Sequence, residues 1–457
     1  MIQKTKLISF QLIFIIFFLF FFHQISTNNT PFQFQQILYP NDPTDYIWFG
    51  ETVSISGNSL AIASVNDLGF PYTRNGRVYI LENENYNNNN NWNQKTRLSI
   101  NDGTNGDGFG TSISISNDIV VVGAPLMTVG SNTYQGKAYI FKKNGTDWNQ
   151  VAELIANDGE AEDLFGYRVF ISGKIIIVGS PIVNINGKLN QGCVYVFNGN
   201  EDGTIWNQTQ KLIASDGEEY DQFGWSVSIS NDILVVGTPW TEVGTNIQQG
   251  KAYIFQNNGN EWNQIQILIA SDGKVGDYFG YSVSISSDSS LIIIGASEAT
   301  SGSNIYQGKA YIFQKNGNQW NQIQILTADD GQEYDQFGYS VSISSDSSLI
   351  IIGAHLARVG SNQGQGKAYI FQKNGNQWNQ IQILIANDGQ NENDQFGTSV
   401  LISNQFAIVG ASKAYNNNCE FIQAGKVYVF DNNPLPSPYP STTLSISSSP
   451  KTTVIVS

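Results

Sequence analysis

The sequence predicts an all-β fold, a seven-bladed β-propeller with four-stranded blades whose ring is closed by an N-terminal strand completing the seventh blade. Three observations carry this expectation. A Phe-Gly pair recurs seven times, the intervals between pairs hold four short β-branched segments, and the final unit lacks the one strand that the N-terminus has in excess.

The Phe-Gly pairs begin at Phe49, Phe109, Phe165, Phe223, Phe279, Phe337 and Phe396, spaced by 60, 56, 58, 56, 58 and 59 residues. A period in that range marks a repeat architecture. In the fifth unit the segments are FGYSVSIS from Phe279, SLIIIGAS from Ser290, GKAYIFQK from Gly308 and WNQIQILTA from Trp320, each bounded by Gly, Asn, Asp or Ser. Such runs read as strands joined by tight turns. One four-stranded meander cannot cover both its faces, so seven of them stack radially, and the closed ring hides their edges. The seventh unit ends its third strand at GKVYVF (Gly425 to Phe430) and then turns Pro-rich, while FQFQQILYPND (Phe32 to Asp42) matches WNQIQILIAND (Trp378 to Asp388). Phe34 to Tyr39 is therefore expected to supply the missing outer strand; a degenerate half-repeat at an open end is the alternative.

The chain ends are expected to lie outside this ring. Lys4 and Lys6 precede an apolar run from Leu7 to Phe22, the pattern of a secretory signal, residues 1–27. Ser9 and Gln11 interrupt it and it falls short of the roughly 20 apolar residues that span a bilayer, which sets cleavage above retention as an anchor. The propeller then occupies 28–430, and 431–457 reads as a Pro-, Ser- and Thr-rich disordered spacer. Asn87 to Asn91 reads as a low-complexity insertion in the first blade.

A net charge of −15 with only 23 Lys and Arg argues against nucleic-acid binding and against anionic membrane surfaces. Export makes Asn28, Asn144 and Asn207 candidate glycosylation sites, each opening an Asn-x-Ser/Thr sequon. Cys193 and Cys419 are too few for a disulfide framework and read as isolated thiols.

Aligned, the units share FG-x-S-V-x-I-S, V-V-G-A-P and G-K-A-Y-I-F, clearest at Phe109-Gly110 with Gly123-Ala124-Pro125 and at Phe223-Gly224 with Gly237-Thr238-Pro239. This pattern resembles the FG-GAP repeat of integrin α-subunits over roughly residues 34 to 430. The resemblance implies a seven-bladed propeller that meets ligands on its upper face, outside the cell. The calcium loops of the integrin pattern are missing, because only Ser230 to Asp232, or Ser286 to Ser290, stand in that interval, too few oxygens for the ion. The chain looks closer to a secreted, calcium-loop-poor variant marked by A-x-D-G-x-x-x-D-x-F-G and by Trp-Asn-Gln.

Candidate sites fall into two sets. The first is the acidic turn before each Phe-Gly pair: Asp102 with Asp107, Asp158 with Asp163, Asp216 with Asp221, Asp272 with Asp277, Asp330 with Asp335, and Asp388 with Asp394. On one reading these carboxylates form Asx-type turns that fix the passage between blades; on the other they hold a cation, calcium being the possible cofactor. The second set is the loops after the GAP position, which differ between blades and offer Trp240, Arg358 and Tyr415 as binding residues. The repeated Trp92, Trp148, Trp206, Trp262, Trp320 and Trp378 read as packing between blades rather than as a sugar platform.

Nothing points to an enzyme or to a histidine-rich metal centre. After signal removal His355 is the single histidine, and no G-x-S-x-G, P-loop or H-E-x-x-H motif is present. The expected function is an extracellular binding or adhesion module that takes a protein or glycan partner through one rim and does not insert into a membrane after cleavage. A structural surface or matrix glycoprotein without a single ligand is the alternative. An apolar or aromatic patch on the variable rim would favour the first, and an evenly polar rim the second.

Overall fold

The structure is a computed structural model, and it describes residues 31–432 apart from 45, 66–75, 87–88, 101, 104–105, 387, 389–391 and 416–422. The expected signal, Asn28, Cys419 and nearly all of the expected tail lie outside the described residues.

Seven antiparallel four-stranded sheets form the ring. Blades 1 to 6 span 49–98, 113–154, 168–212, 226–268, 279–326 and 340–384, and blade 7 combines 396–431 with Gln33–Leu38. That N-terminal strand pairs antiparallel with Lys426–Asp431, from Gln33 opposite Asp431 to Leu38 opposite Val427. Its leading residue Phe32, 1% exposed, occupies the place that tryptophan holds in the other blades.

Why the second and third strands are continuous apolar runs follows from stacking: both faces of a blade are covered. In Leu291–Ala296, Leu291 and Ile293 pack against Ile350 and Ile352 of blade 6. Ile292 and Ile294 face the other way, onto Ile233 and Val235 of blade 4. The outer strand alternates because one side meets solvent; in Trp262–Leu268 only the first and last side chains are buried. The six repeated tryptophans are all buried.

The two glycines of the repeat meet across every blade boundary except that between blades 1 and 2, where Ala63 faces Gly110. In the Phe-Gly pairs glycine adopts φ between +93° and +96°, a region closed to most side chains. Its carbonyl abuts the GAP-position glycine of the preceding blade so closely that a Cβ on Gly237 would lie 2.0 Å from the oxygen of Gly280. Outer strands are joined by a glutamine clasp. The Gln266 side chain accepts from the backbone N–H of Trp320 at 2.8 Å and donates to its carbonyl at 2.7 Å. The same pair of bonds links Gln36 to Trp92, Gln210 to Trp262, Gln324 to Trp378 and Gln382 to Phe32.

Candidate functional site

The loop joining the second and third strands lies on the same face as the passage to the next blade. Backbone bonds tie the two, as from Tyr220 N–H to the Leu189 carbonyl at 2.8 Å and from Tyr334 N–H to the Ile305 carbonyl at 3.0 Å. This is the upper face, and the acidic turns belong to it.

The first aspartate of each turn reaches into the following blade. Asp216 accepts from the Tyr253 hydroxyl at 2.9 Å and pairs with the Lys251 ammonium at 2.7 Å. Equivalent hydroxyl bonds join Tyr139 to Asp102, Tyr195 to Asp158, Tyr311 to Asp272, Tyr369 to Asp330 and Tyr428 to Asp388. Asp42 supplies a seventh, from Tyr79 at 2.8 Å, a turn outside the six singled out from sequence. Burial alone would raise these carboxyls, but the lysine and tyrosine donors outweigh it and hold Asp102, Asp158, Asp216 and Asp272 below the ordinary carboxylate value. Burial, reinforced by the aspartate charge, pushes the hydroxyls of Tyr253, Tyr311 and Tyr369 far above the usual tyrosine range.

The second aspartates are buried and turn inward. Asp163, Asp221, Asp277 and Asp335 accept backbone N–H bonds from Glu160, Glu218, Lys274 and Gln332 at 2.7 to 2.8 Å. Burial raises all four above the ordinary value. Asp107 and Asp394 are buried at the same register. Among the described residues no three carboxylate, imidazole or thiol groups converge in a way that could hold a metal ion.

Blade 3 departs from this plan and compensates. Cys193 stands where the other blades have Lys or Arg, and Lys211, cross-strand from Tyr195, reaches Asp158 instead at 2.6 Å. Burial pushes the Cys193 thiol up to about 12.

The loops that differ most in sequence share one backbone. A tight hairpin forms at Val129 and Asn132, Ile185 and Lys188, Val243 and Asn246, Ser301 and Asn304, and Val359 and Asn362. In four of the five its asparagine bonds to a glutamine three residues on, Asn246 to Gln249 at 2.8 Å for example, and Asn246 also reaches the carbonyl of Gly273 at 3.2 Å; in blade 3 Lys188 stands there and donates to the Gly217 carbonyl at 2.7 Å. The recurring Asn-x-x-Gln-Gly was the sequence signal for this hairpin, and the surrounding variation hid it.

Of the three predicted binding residues, Trp240 stacks edge-on against Trp225 at 4.3 Å and lines a recess of about 720 Å³ with Tyr220, Glu218 and Glu242. Arg358 is exposed and lines a separate recess with Tyr334 and Glu333. Tyr415 is half-buried in blade 7. The three do not form one site. Asn144 and Asn207 are exposed on the third strand of blade 2 and the fourth of blade 3.

What the structure does gather is a sector. On the rim of blades 3 to 6 the tied loop positions carry Leu189, Tyr220, Ile247, Ile305 and Tyr334, with Val275 beside the tied Gly276, and these six side chains are 40% to 63% exposed. The matching bonds in blades 2 and 6 join Glu162 to Thr133 and Asn393 to Gln363, both polar. Inside the rim, at the channel mouth, Tyr167, Trp225, Tyr281 and Tyr339 follow the Phe-Gly pairs of those same four blades and touch in sequence at 4.8, 5.7 and 5.1 Å. His355 backs Tyr339 at 3.8 Å and, buried, is held neutral down to about 3.

The fold and its paired glycines define an integrin-like FG-GAP β-propeller. The family model described as FG-GAP repeat matches residues 92–141, 148–197, 206–255, 262–313, 320–371 and 378–430, and the chain belongs to that family. Each match opens on the outer strand of one blade and ends on the third strand of the next, so the sequence repeat itself straddles a junction. The chain is 30% identical to integrin alpha-2 of Mus musculus over 107 residues and 31% identical to integrin alpha-2 of Bos taurus over 108 residues. In each case 22% of this chain is aligned, and it spans about 9% of the length of that relative.

Proposed function

We propose that this chain is a non-catalytic binding or adhesion module, exported from the cell, that meets a protein or glycan partner through the upper rim of blades 3 to 6. The observation that carries the reading is the segregation of exposed Leu189, Tyr220, Ile247, Val275, Ile305 and Tyr334 to one sector, where neighbouring blades are polar at the same positions. Contiguous exposed apolar groups rimmed by charge are a feature of interaction surfaces. A structural glycoprotein without a single ligand has no need of such a bias. The likeness to integrin alpha-2 supports a role in adhesion, and the leader-like run from Leu7 to Phe22 supports export.

The test is adhesion of beads coated with the secreted chain to cultured cells and to extracellular matrix. Tyr220→Ser, Ile247→Ser and Val275→Ser combined should lower adhesion by about tenfold or more, the effect of losing a few interface anchors. Thr133→Ala with Glu162→Ala, at the polar junction, should leave it unchanged. Equal adhesion of both variants, each with an unaltered melting temperature, would remove the rim from the proposal.

A further inference from the structure

The central channel opens upward into a cup of about 550 Å³, and its wall departs from the repeat at blade 3. In blades 4 to 7 the second residue after the Phe-Gly pair is serine. Ser226, Ser282, Ser340 and Ser399 each donate to the Phe-Gly carbonyl of the next blade at 2.7 to 2.8 Å. Blade 3 has Arg168 there, and two residues on it has Phe170 where Ser228 of blade 4 accepts the Ile285 N–H at 3.2 Å. Two inter-blade hydrogen bonds are forfeited, and a guanidinium and a phenyl ring enter the channel instead.

Arg168 is half-buried, lies over the Tyr167 ring at 5.0 Å, and has a long bond of 3.5 Å to the Tyr167 carbonyl. Among the described residues it makes no ion pair. A guanidinium cannot shed its charge, and although the cup also holds the Glu51 carboxylate the two form no ion pair, so the donors of Arg168 are placed for an anion from outside. The cup is also lined by Glu51 of blade 1 and by the stack of Tyr167, Trp225, Tyr281 and Tyr339.

We propose that this cup binds an acidic sugar, a six-membered polyhydroxyl ring bearing a carboxylate. The carboxylate takes the two parallel N–H donors of Arg168. The C–H faces of the ring lie on the aromatic wall, and its hydroxyls meet the tyrosine hydroxyls and the Glu51 carboxylate, groups an unsubstituted aromatic acid could not use. The cup is inside the ring of loops and stands independently of the rim.

Calorimetry on the full secreted chain tests this with D-glucuronate, D-glucose, benzoate and acetate as probes. Glucuronate should bind at least about tenfold tighter than the other three, the contribution of a charge-assisted pair together with the ring. Arg168→Ser introduces the residue that blades 4 to 7 already use, so it should fold with an unchanged or higher melting temperature and bind glucuronate no better than glucose. Retained glucuronate binding in that variant, absence of saturable heat in the parent, or equal binding of acetate or benzoate would each overturn the proposal.

Discussion

The junction between blades 4 and 5 and the junction between blades 1 and 2 do the same job with different parts. At the first, Gly237 lies against Gly280, Ser226 donates to the Gly280 carbonyl, and Gln266 clasps Trp320. At the second, Ala63 replaces the glycine, Thr52 reaches the Gly110 carbonyl at a weaker 3.3 Å, and Thr96 stands where the clasping glutamine would be. Both junctions keep the aspartate-to-tyrosine bond, Asp272 to Tyr311 and Asp102 to Tyr139. The difference teaches that a blade boundary is held by several separable devices. Position within the repeat decides which of them a substitution can remove. It also separates architecture from function: features present at nearly every boundary hold the ring, and the sector-specific groups of blades 3 to 6 stand out against them.

The largest effect is expected where the well-made junction is forced to resemble the looser one. Gly237→Ala would place its Cβ 2.0 Å from the Gly280 oxygen and 2.2 Å from the Ser226 hydroxyl. Blade 1 tolerates Ala63 because its neighbour has moved away: a Cβ added to Gly110 would stand 3.3 Å from that methyl. Gly237→Ala should therefore lose about 3 kcal/mol by backbone displacement, and the reverse change, Ala63→Gly, about 1 kcal/mol. Chemical denaturation of both variants measures the asymmetry, and equal losses would mean that the two junctions are equally tight.

A smaller and pH-dependent effect distinguishes the two aspartates of one turn. Asp216 is held below its ordinary value of 3.8, so its contribution is present above that pH and disappears as pH falls through the lowered value. Asp221 is raised above 3.8 by burial, so folding favours its protonated form and its charge becomes unfavourable as pH rises. Asp216→Asn should lose about 1 kcal/mol at neutral pH, a figure reduced for the solvent that reaches a carboxylate 40% exposed, and should converge on the parent once pH has fallen through the lowered value. Asp221→Asn should move the other way, improving relative to the parent from acid to neutral pH. Melting curves across that range decide it, and parallel curves would show that the two carboxyls share one environment.

Much of this was legible in the sequence because the repeat states its own alignment. The spacing of Phe49 to Phe396 set the blade number, and FQFQQIL beside WNQIQIL set the closure, one residue earlier than expected, at Gln33–Leu38. The upper-face sector was not legible, because Leu189, Ile247 and Ile305 are ordinary loop residues until hydrogen bonds set each beside the next blade's turn. The channel mouth was missed for a related reason. Tyr167, Trp225, Tyr281 and Tyr339 sit about 57 residues apart and touch only once the ring is closed. Arg168 could have been found as the one departure from serine at its register in blades 3 to 7, a signal in the exception rather than in the repeat.

The smallest effect sharpens the comparison by repairing the weaker junction. The clasp consists of two hydrogen bonds from one amide to a backbone N–H and carbonyl that are otherwise left on the outer edge of the next blade. Removing it with Gln266→Ala should lose about 1 kcal/mol, since solvent can replace part of what an exposed edge loses. Thr96 faces Ile80 in the outer strand pair of blade 1, the register at which Gln266 faces Ile254 in blade 4, so the backbone for a clasp onto Trp148 is already in place. Thr96→Gln should gain up to about 0.5 kcal/mol, less than the loss at blade 4 because a longer side chain is ordered in the process. Ala152→Gln offers the same repair between blades 2 and 3, where Ala152 faces Ile140 at the equivalent register. If the clasp is a separable device, the two repairs should add in denaturant titrations, since they act at different boundaries. If neither raises stability, the spacing of the outer strands at those boundaries, rather than the missing glutamine, is what sets them apart.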